Sequence, residues 1–189
     1  MFKLKFFRRF LAFTFIIFFG SFTLNASNNE LLRLDGKWEL FLQKSPEQTF
    51  SLVDSNTPAD YMATVPGTWN EEVLHSGSKN PETFGCYRYV CTDLEPSEKY
   101  ALLTKESPGT SCALYINRKL IAQTGDPFVM LQPGYNLKPN AYNKSHSQSI
   151  PLYCEFAADE KGEVEIIFLV SNYYYRKGGL WDSVFFGIP

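Results

Sequence analysis

Residues 163–171 (EVEIIFLVS) carry the pattern that most constrains the fold. Val164, Ile166, Phe168 and Val170 occupy every second position, and two glutamates stand at the alternate positions at the start. Successive side chains of a β-strand point to opposite faces, so this period of two predicts a strand with its apolar face turned inward. Such a strand in a sandwich is expected to bury only that face, against a second sheet.

Shorter segments of the same kind recur along the chain, separated by turn residues, and no amphipathic helix pattern is sustained. The other predicted strands cover residues 36–42, 86–91, 100–104, 111–116, 120–123 and 181–186. Trp38 alternates with two leucines in the first of these and is therefore predicted to lie in the core. Roughly seven to nine short strands predict an all-β fold, an antiparallel β-sandwich or jelly roll.

Two long stretches lack this regularity. Residues 44–62 are polar with scattered prolines, and residues 124–148 contain several prolines and a run of Asn and Ser. Irregular segments of this length inside a compact domain are usually binding loops or locally mobile. Both stretches are therefore predicted to be loops.

The N-terminus has the order of a secretory signal peptide. Four basic residues among the first nine precede an apolar run at 11–19 and a cleavage-type sequence, LNA, at 24–26. This order predicts a signal peptide at residues 1–26, one domain at 27–189, and export to the periplasm or the extracellular space. The alternative is that the N-terminus stays uncleaved and acts as an anchor.

The charge of the remaining chain excludes one class of partner. Residues 1–26 contain four of the 18 Lys and Arg and none of the 20 Asp and Glu, so residues 27–189 carry a formal charge of −6. Nucleic acid and anionic lipid are bound by cationic surfaces that neutralise phosphate, so neither is an expected partner.

The cysteines leave two interpretations open. Cys86, Cys91, Cys112 and Cys154 allow two disulfides in an exported protein, in three possible pairings. Cys86 and Cys91 are expected to face opposite sides of one strand and therefore not to pair with each other. The other interpretation is that the cysteines are small buried hydrophobic residues.

Short motifs in a fixed order add a family resemblance. In chain order they are LDGKWEL at 34–40, VPGTWN at 65–70, GCYR at 85–88, ALYIN at 113–117, VSN at 170–172, GGLW at 178–181 and FFG at 185–187. Together they resemble the galactose-binding-like jelly-roll domains. The resemblance is stronger to the extracellular sensor domain of bacterial seven-transmembrane receptors with diverse intracellular signalling modules, because that pattern includes the ending motifs and spans residues 34–187.

An alternative resemblance is to the N-terminal sugar-binding domain of glycoside hydrolase family 2 (GH2) enzymes, which shares the PGTWN, YR and LYIN pieces. The first resemblance implies a ligand-binding sensor domain with a membrane signalling partner. The second implies a sugar-binding accessory domain of a truncated or split enzyme. A third hypothesis is a structural or protein-interaction role, with the aromatic loops docked on another chain.

The sequence departs from the sensor pattern in two places. The family turn after the strand asparagine is Asn-Gly, whereas Arg118 follows Asn117 here, so a longer turn through Lys119 is expected. The receptors continue into membrane helices and an output module, whereas this chain ends at Pro189. A free-standing exported domain or a truncated reading frame is therefore expected.

Catalytic motifs are missing from the sequence. His75 and His146 lie in polar, loop-like contexts, and the sequence has no HExxH, GxSxG or Gly-rich phosphate-binding motif. The neighbouring acids at 71–72 and 159–160 are better explained as solvated surface than as the paired carboxylates of a glycosidase. The chain is predicted not to be an enzyme, with no cofactor and no metal ligand set, and a structural calcium is left open.

A carbohydrate is the expected ligand, because sugars need aromatic faces to stack on and planar polar groups to pair with hydroxyls. The predicted ligand-binding residues are Trp69, Arg88, Asn117, Asn172, Tyr173, Tyr175, Arg176 and Trp181. Most have a structural alternative: Trp69 as a lid on the end of the sandwich, Arg88 as a buried ion-paired residue. The two asparagines alternatively satisfy turn backbone groups.

The three consecutive tyrosines are divided by strand alternation. If Tyr174 continues the inward face that ends at Val170, Tyr173 and Tyr175 face the other way, and at least one ring is accessible. The alternation breaks after this point, so residues 173–181 form the loop predicted to contact the ligand.

Overall fold

The computed structural model describes residues 31–70, 75, 82–106, 108–133, 135, 148 and 150–189. The elements in this part of the chain are β1 (Leu32–Arg33), β2 (Gly36–Leu42), α1 (Pro46–Asp54), β3 (Tyr61–Val65), β4 (Phe84–Cys91), β5 (Lys99–Thr104), β6 (Ser111–Ile116), β7 (Lys119–Thr124), a 3₁₀ helix (Val129–Leu131), β8 (Tyr153–Ala157), β9 (Val164–Ser171) and β10 (Val184–Gly187). The predicted signal peptide and His146 lie outside the described residues.

The strands form two antiparallel sheets, which confirms the predicted all-β sandwich. One sheet has the order β3-β2-β4-β9-β6-β7 and the other the order β1-β10-β5-β8. β9 lies at the centre of the six-stranded sheet, paired along its length with β4 and β6. In the described part of the chain, no helix is long and apolar enough to cross a membrane.

The main core lies between the two sheets, where the sequence pattern places it. The even-numbered residues of β9, from Val164 to Val170, are fully buried there, together with Trp38 of β2 and Phe186 of β10. The indole nitrogen of Trp38 donates a hydrogen bond of 2.8 Å to the carbonyl of Leu34, which satisfies its polar group inside the core.

A second apolar cluster covers the outer face of the six-stranded sheet, so the expectation that β9 buries one face only is wrong. Ile167 and Leu169 are fully buried on this face. Phe50 of α1 packs edge-on against Tyr115 beside them, with ring centroids 5.8 Å apart. Because a helix shields this face, β9 is apolar at every position from Ile166 to Val170.

The helix α1 corrects the prediction that residues 44–62 form an irregular loop. Ser45 caps the helix: its side chain accepts a hydrogen bond from the Gln48 N–H, and the Gln48 side chain accepts one from the Ser45 N–H. Pro46 and Glu47 fill the first turn, where a missing N–H and a negative charge are both favourable. This start signal was present in the sequence and was missed among the polar residues.

All four cysteines are buried free thiols, which agrees with the second of the two interpretations. Cys86 lies in the outer apolar cluster, whereas Cys91, Cys112 and Cys154 lie in the main core. Burial raises the pKa of Cys86 and Cys91 to about 12 and that of Cys154 to about 11. Burial also raises the pKa of Cys112 well above its ordinary value.

Candidate functional site

An open groove of about 450 Å³ lies at one end of the sandwich, and we call it the end groove. It is bounded by the β5–β6 and β9–β10 connections, both of which cross from one sheet to the other. The described residues that line it are Glu106, Gly109, Thr110, Tyr174, Tyr175, Lys177 and Trp181. The predicted ligand loop, residues 173–181, therefore contributes most of its side chains.

The strand alternation of β9 ends at Ser171, and the tyrosines do not follow the expected division. Tyr173 is 3% exposed, whereas Tyr174 and Tyr175 are 37% and 47% exposed. The Tyr173 N–H donates to Thr110 Oγ1 at 2.9 Å, and its phenol donates to the Asp126 carbonyl. Burial raises the pKa of the Tyr173 phenol. Tyr173 is thus a structural residue, and the prediction that it contacts a ligand is corrected.

Two aromatic rings stand at right angles at the end groove. The rings of Tyr175 and Trp181 are 5.1 Å apart with an interplanar angle of 75°. Edge-to-face packing of this kind stabilises both rings while leaving faces free for a third group. Tyr175 is exposed and Trp181 half-buried, so both of these predicted residues are placed where a ligand can reach them.

Asn172 is fully buried below the end groove and does not present its amide to solvent. Its Nδ2 donates to the Tyr175 carbonyl at 2.7 Å, and its Oδ1 accepts from the Tyr175 N–H at 3.0 Å. Direct ligand binding by Asn172 is therefore corrected: the side chain holds the loop that bears Tyr175, as its structural alternative proposed.

Trp69 is also placed under the loop and not on its surface. It is 0% exposed and stacks on Tyr87, with ring centroids 6.0 Å apart and an interplanar angle of 14°. Its backbone N–H donates to the Gly178 carbonyl at 3.0 Å. No ring face is left for a sugar, so the predicted contact between Trp69 and a ligand is corrected.

Asn70, next to Trp69, ties the same loop from below. Its Nδ2 donates to the Arg176 carbonyl at 2.9 Å, and its Oδ1 accepts from the Gly178 N–H at 3.2 Å. Arg176 is exposed but is not among the groove-lining residues. Among the predicted residues, the structure brings Tyr175 and Trp181 to the groove, with Arg176 beside it.

Sequence reasoning missed two charged groups of the end groove. Glu106 and Lys177 both line it and are exposed, and neither forms an ion pair within the part of the chain that the structure describes. Glu106 follows the end of β5, and Lys177 is only one residue past the predicted Arg176. Isolated charges in loops have no recognisable spacing, and only the fold brings these two to one groove.

Arg88 lies elsewhere, on the outer face of the six-stranded sheet. Its Nε contacts Glu165 Oε1 at 2.6 Å and its Nη1 contacts Glu39 Oε2 at 2.5 Å, across both neighbouring strands. Burial lowers the pKa of Arg88, but the hydrogen bonds that Arg88 donates to the two carboxylates outweigh this effect, and the net shift is upward. The ion-paired alternative for Arg88 is therefore the one observed, away from the end groove, and its predicted ligand contact stays a prediction.

The β6–β7 turn extends this charged network. Asn117 and Arg118 have φ of 46° and 66°, so the two residues form a type I′ turn, and the expected longer turn through Lys119 is wrong. Arg118 adopts the positive φ of this turn. Its guanidinium forms ion pairs with Asp54 at 2.7 Å and with Glu165 at 3.2 Å. Asn117 Oδ1 accepts from the Glu165 N–H at 2.8 Å, the backbone role of its structural alternative, and its predicted ligand contact stays a prediction.

A shallow groove of about 270 Å³ runs beside this network. Its described lining is Arg88, Val90, Asn117, Arg118, Asp159, Glu163 and Glu165. Both arginines are already paired with carboxylates, and the region has no exposed aromatic ring in its described lining. Within the described residues, no group of three or more His, Cys, Asp or Glu is arranged to hold a metal ion. The end groove is therefore the better candidate site.

Solved structures with a similar fold support the β-sandwich, whereas the sequence comparisons assign the chain to no family. No protein-family model and no curated protein matches the chain. The β-glucuronidase of Ruminococcus gnavus matches with a TM-score of 0.55 at 14% identity, over 85% of this chain and 29% of that one. A β-glucuronidase of an uncultured Clostridium species matches with a TM-score of 0.54 at 13% identity, over 85% and 29% of the two chains.

A GH2 β-galacturonidase from Eisenbergiella tayi matches with a TM-score of 0.50 at 10% identity, over 84% of this chain and 24% of that one. The two-sheet fold of this chain is therefore similar to that of one part of these enzymes. The chain spans only about a quarter of the length of these enzymes. At such low identity the likeness concerns the GH2-like fold alone, and the activities of those enzymes are not transferred with it.

Proposed function

We propose that the chain is a non-catalytic carbohydrate-binding domain and that the end groove holds the sugar. The observation that supports this most directly is the pair of accessible rings, Tyr175 and Trp181, packed edge to face in the end groove. Beside them lie an acid and a base that form no ion pair with any residue that the structure describes. A sugar offers an apolar C–H face to an aromatic ring and hydroxyls to charged groups, and this groove provides both kinds of contact.

The two charged side chains of the end groove would form different hydrogen bonds with a sugar. The Glu106 carboxylate accepts hydrogen bonds from sugar hydroxyls, and the Lys177 ammonium donates to hydroxyl oxygens, since charge-assisted hydrogen bonds are stronger than neutral ones. Tyr174 adds a third accessible ring. The wall at Gly109 and Thr110 adds little side-chain chemistry, because the Thr110 hydroxyl is engaged with Ser171 and Tyr173.

The absence of catalysis belongs to the same proposal. Hydrolysis of a glycosidic bond requires two carboxylates on either side of that bond. Among the described residues that line the end groove, Glu106 is the single acid. The GH2-like fold extends over about a quarter of the enzymes it resembles, which is consistent with a binding domain.

The sensor role is the finer form of the proposal. In it, an exported domain binds sugar and passes the bound state to a membrane partner, with no turnover. The motif order across residues 34–187 supports this form, and the GH2 likeness supports the accessory-domain form. The DNA flanking the coding sequence separates them: a region encoding seven apolar spans favours the sensor, and one encoding a barrel domain favours the accessory domain.

Binding is tested by calorimetry of the purified protein against a panel of mono- and oligosaccharides, including uronic acids. We expect Trp181→Ala and Tyr175→Ala to weaken binding of any hit by about tenfold or more, the loss of one buried aromatic contact. The matched control is Tyr153→Ala, an exposed tyrosine (56%) on β8 outside the groove, which should bind as the unmodified protein does. Binding by no sugar in the panel, or equal losses in all three variants, would refute the proposal.

A further inference from the structure

The side-chain amide of Asn172 is buried and is hydrogen-bonded to the loop above it. The residue follows β9 directly, and its own N–H donates to the Thr83 carbonyl at 2.8 Å. Its side chain then makes two hydrogen bonds, at 2.7 and 3.0 Å, with the carbonyl and N–H of Tyr175. Burying an amide costs free energy unless its donor and its acceptor are both used, and here Tyr175 uses both.

Few side chains can replace this arrangement. An aspartate keeps the acceptor for the Tyr175 N–H but turns a second acceptor toward the Tyr175 carbonyl, which is repulsive. A leucine or alanine leaves both backbone groups of Tyr175 without their partner. The buried amide therefore fixes one conformation of the backbone from which the Tyr175 ring projects, and this conformation sets the edge-to-face contact with Trp181.

We propose that Asn172 is the positioning residue of the end groove: it acts through Tyr175 and keeps the Tyr175–Trp181 corner assembled before a ligand arrives. The inference rests on the proposed sugar-binding function. A site assembled in advance loses less side-chain and loop entropy on binding, so removing the clamp weakens affinity without removing any ligand contact.

The test uses Asn172→Asp in the full chain, with Asn117→Asp as the matched control. Asn117 also binds a backbone N–H with its amide at a strand end, but it lies at the β6–β7 turn, outside the groove lining. We expect Asn172→Asp to weaken binding of a sugar hit by about tenfold, the effect of losing one well-formed hydrogen bond. Asn117→Asp should change thermal stability alone.

Tryptophan quenching by acrylamide gives a readout that needs no ligand. Of the three tryptophans in the chain, Trp38 and Trp69 are fully buried, so quenching of the folded protein reports on Trp181. We expect Asn172→Asp to raise this quenching and Asn117→Asp to leave it unchanged. If Asn172→Asp binds and quenches as the unmodified protein does, the positioning role is overturned while sugar binding stands.

Two further measurements keep the inference testable in every case. In a Tyr175→Ala background, Asn172→Asp should cause no additional loss of affinity, because Asn172 acts through that residue. In the unmodified protein, the Tyr175 amide should exchange its hydrogen more slowly than the exposed Lys177 amide. Equal exchange rates would refute the clamp even if the variant fails to fold. If no sugar binds at all, the proposed function fails, and quenching and exchange still decide the role of Asn172.

Discussion

The Cα of Gly178 packs directly against the indole of Trp69. A Cβ added to this glycine would be 2.1 Å from Trp69 Nε1 and 2.3 Å from Cε2. The next residue, Gly179, has φ of +116° and would place a Cβ 2.7 Å from the Tyr87 hydroxyl. The double glycine is therefore required by the stacked pair Trp69–Tyr87 beneath it. Trp69 supports the end groove through this contact and has no direct access to a ligand.

Gly178→Ala should displace the loop. The added methyl overlaps a rigid, fully buried ring, so either the loop lifts or the indole shifts, at a cost of about 1–3 kcal/mol in free energy of unfolding. Acrylamide quenching of Trp181 should increase, because its supporting segment moves. Chemical denaturation and quenching of the folded protein measure the two effects.

Gly36→Ala is the control for this change. Gly36 also has a positive φ, +133°, but a Cβ there meets nothing within 4 Å. The variant should lose about 1 kcal/mol from backbone strain alone and leave Trp181 quenching unchanged. Equal quenching in the two variants would show that Trp69 does not hold the loop.

The sandwich could be predicted because its signal is local. The alternation from Val164 to Val170 and the position of Trp38 report which face of a strand is buried, and the structure agrees with both. The signal of helix α1 is also local but weak: its apolar face is short, and the capping residues Ser45 and Gln48 occur in loops as well.

The residues that line the end groove could be predicted only in part, for a physical reason. Composition pointed to the segment ending at Trp181, but it could not separate residues that support a loop from residues whose side chains the loop exposes. Asn172 and Tyr173 have the same chemistry as exposed ligand-binding residues, and only their burial reveals the supporting role. Glu106 reaches the groove because the chain crosses between the sheets from β5 to β6. It is about seventy residues from Tyr175 in the sequence, so no local pattern predicts that the two side chains line the same groove.

Glu165→Gln should destabilise the protein, because Glu165 lies between two arginines on the outer sheet face. It pairs with Arg88 at 2.6 Å and with Arg118 at 3.2 Å, and only 14% of its side chain is exposed. Removing the charge leaves Arg88, itself largely buried, with a single carboxylate, Glu39. We expect a loss of about 1–3 kcal/mol in free energy of unfolding, measured by urea denaturation.

Glu163→Gln is the matched control for this network. Glu163 lies two residues earlier in the chain, is exposed, and forms no ion pair within the described residues. Its variant should stay within about 0.5 kcal/mol of the unmodified protein. A Glu165→Gln protein as stable as the Glu163→Gln protein would mean that the network contributes nothing to folding.

The link between Asp54 and Arg118 should make the anchoring of α1 sensitive to acid. The hydrogen bond from Arg118 lowers the pKa of Asp54 below its ordinary value of 3.8. A depressed carboxyl pKa stabilises the fold above the unfolded-state pKa, and this stabilisation is lost as the pH falls through the folded-state pKa. NMR titration of the Asp54 carboxyl should therefore give a pKa below 3.8, rising toward that value in Arg118→Gln.

A stability comparison checks the same link independently. Asp54→Asn should be less stable than the unmodified protein near neutral pH, and the difference should shrink as the pH falls below 3.8. Because Asp54 is exposed, the difference should also shrink in high salt. A difference that stays constant across this pH range would exclude the ion pair as its source.

The four thiols should be unreactive in the folded protein and all free after unfolding. The thiolate is the reactive form, and burial raises the pKa of Cys86 and Cys91 to about 12 and of Cys154 to about 11, so a thiol reagent at pH 8 meets almost none of it. In guanidinium without a reductant, four thiols should react per chain. Reduced glutathione serves as the reagent control in both solvents. A chain with two disulfides would yield no reactive thiol until it is reduced. That result would contradict the buried free thiols and support the disulfides that an exported protein allows.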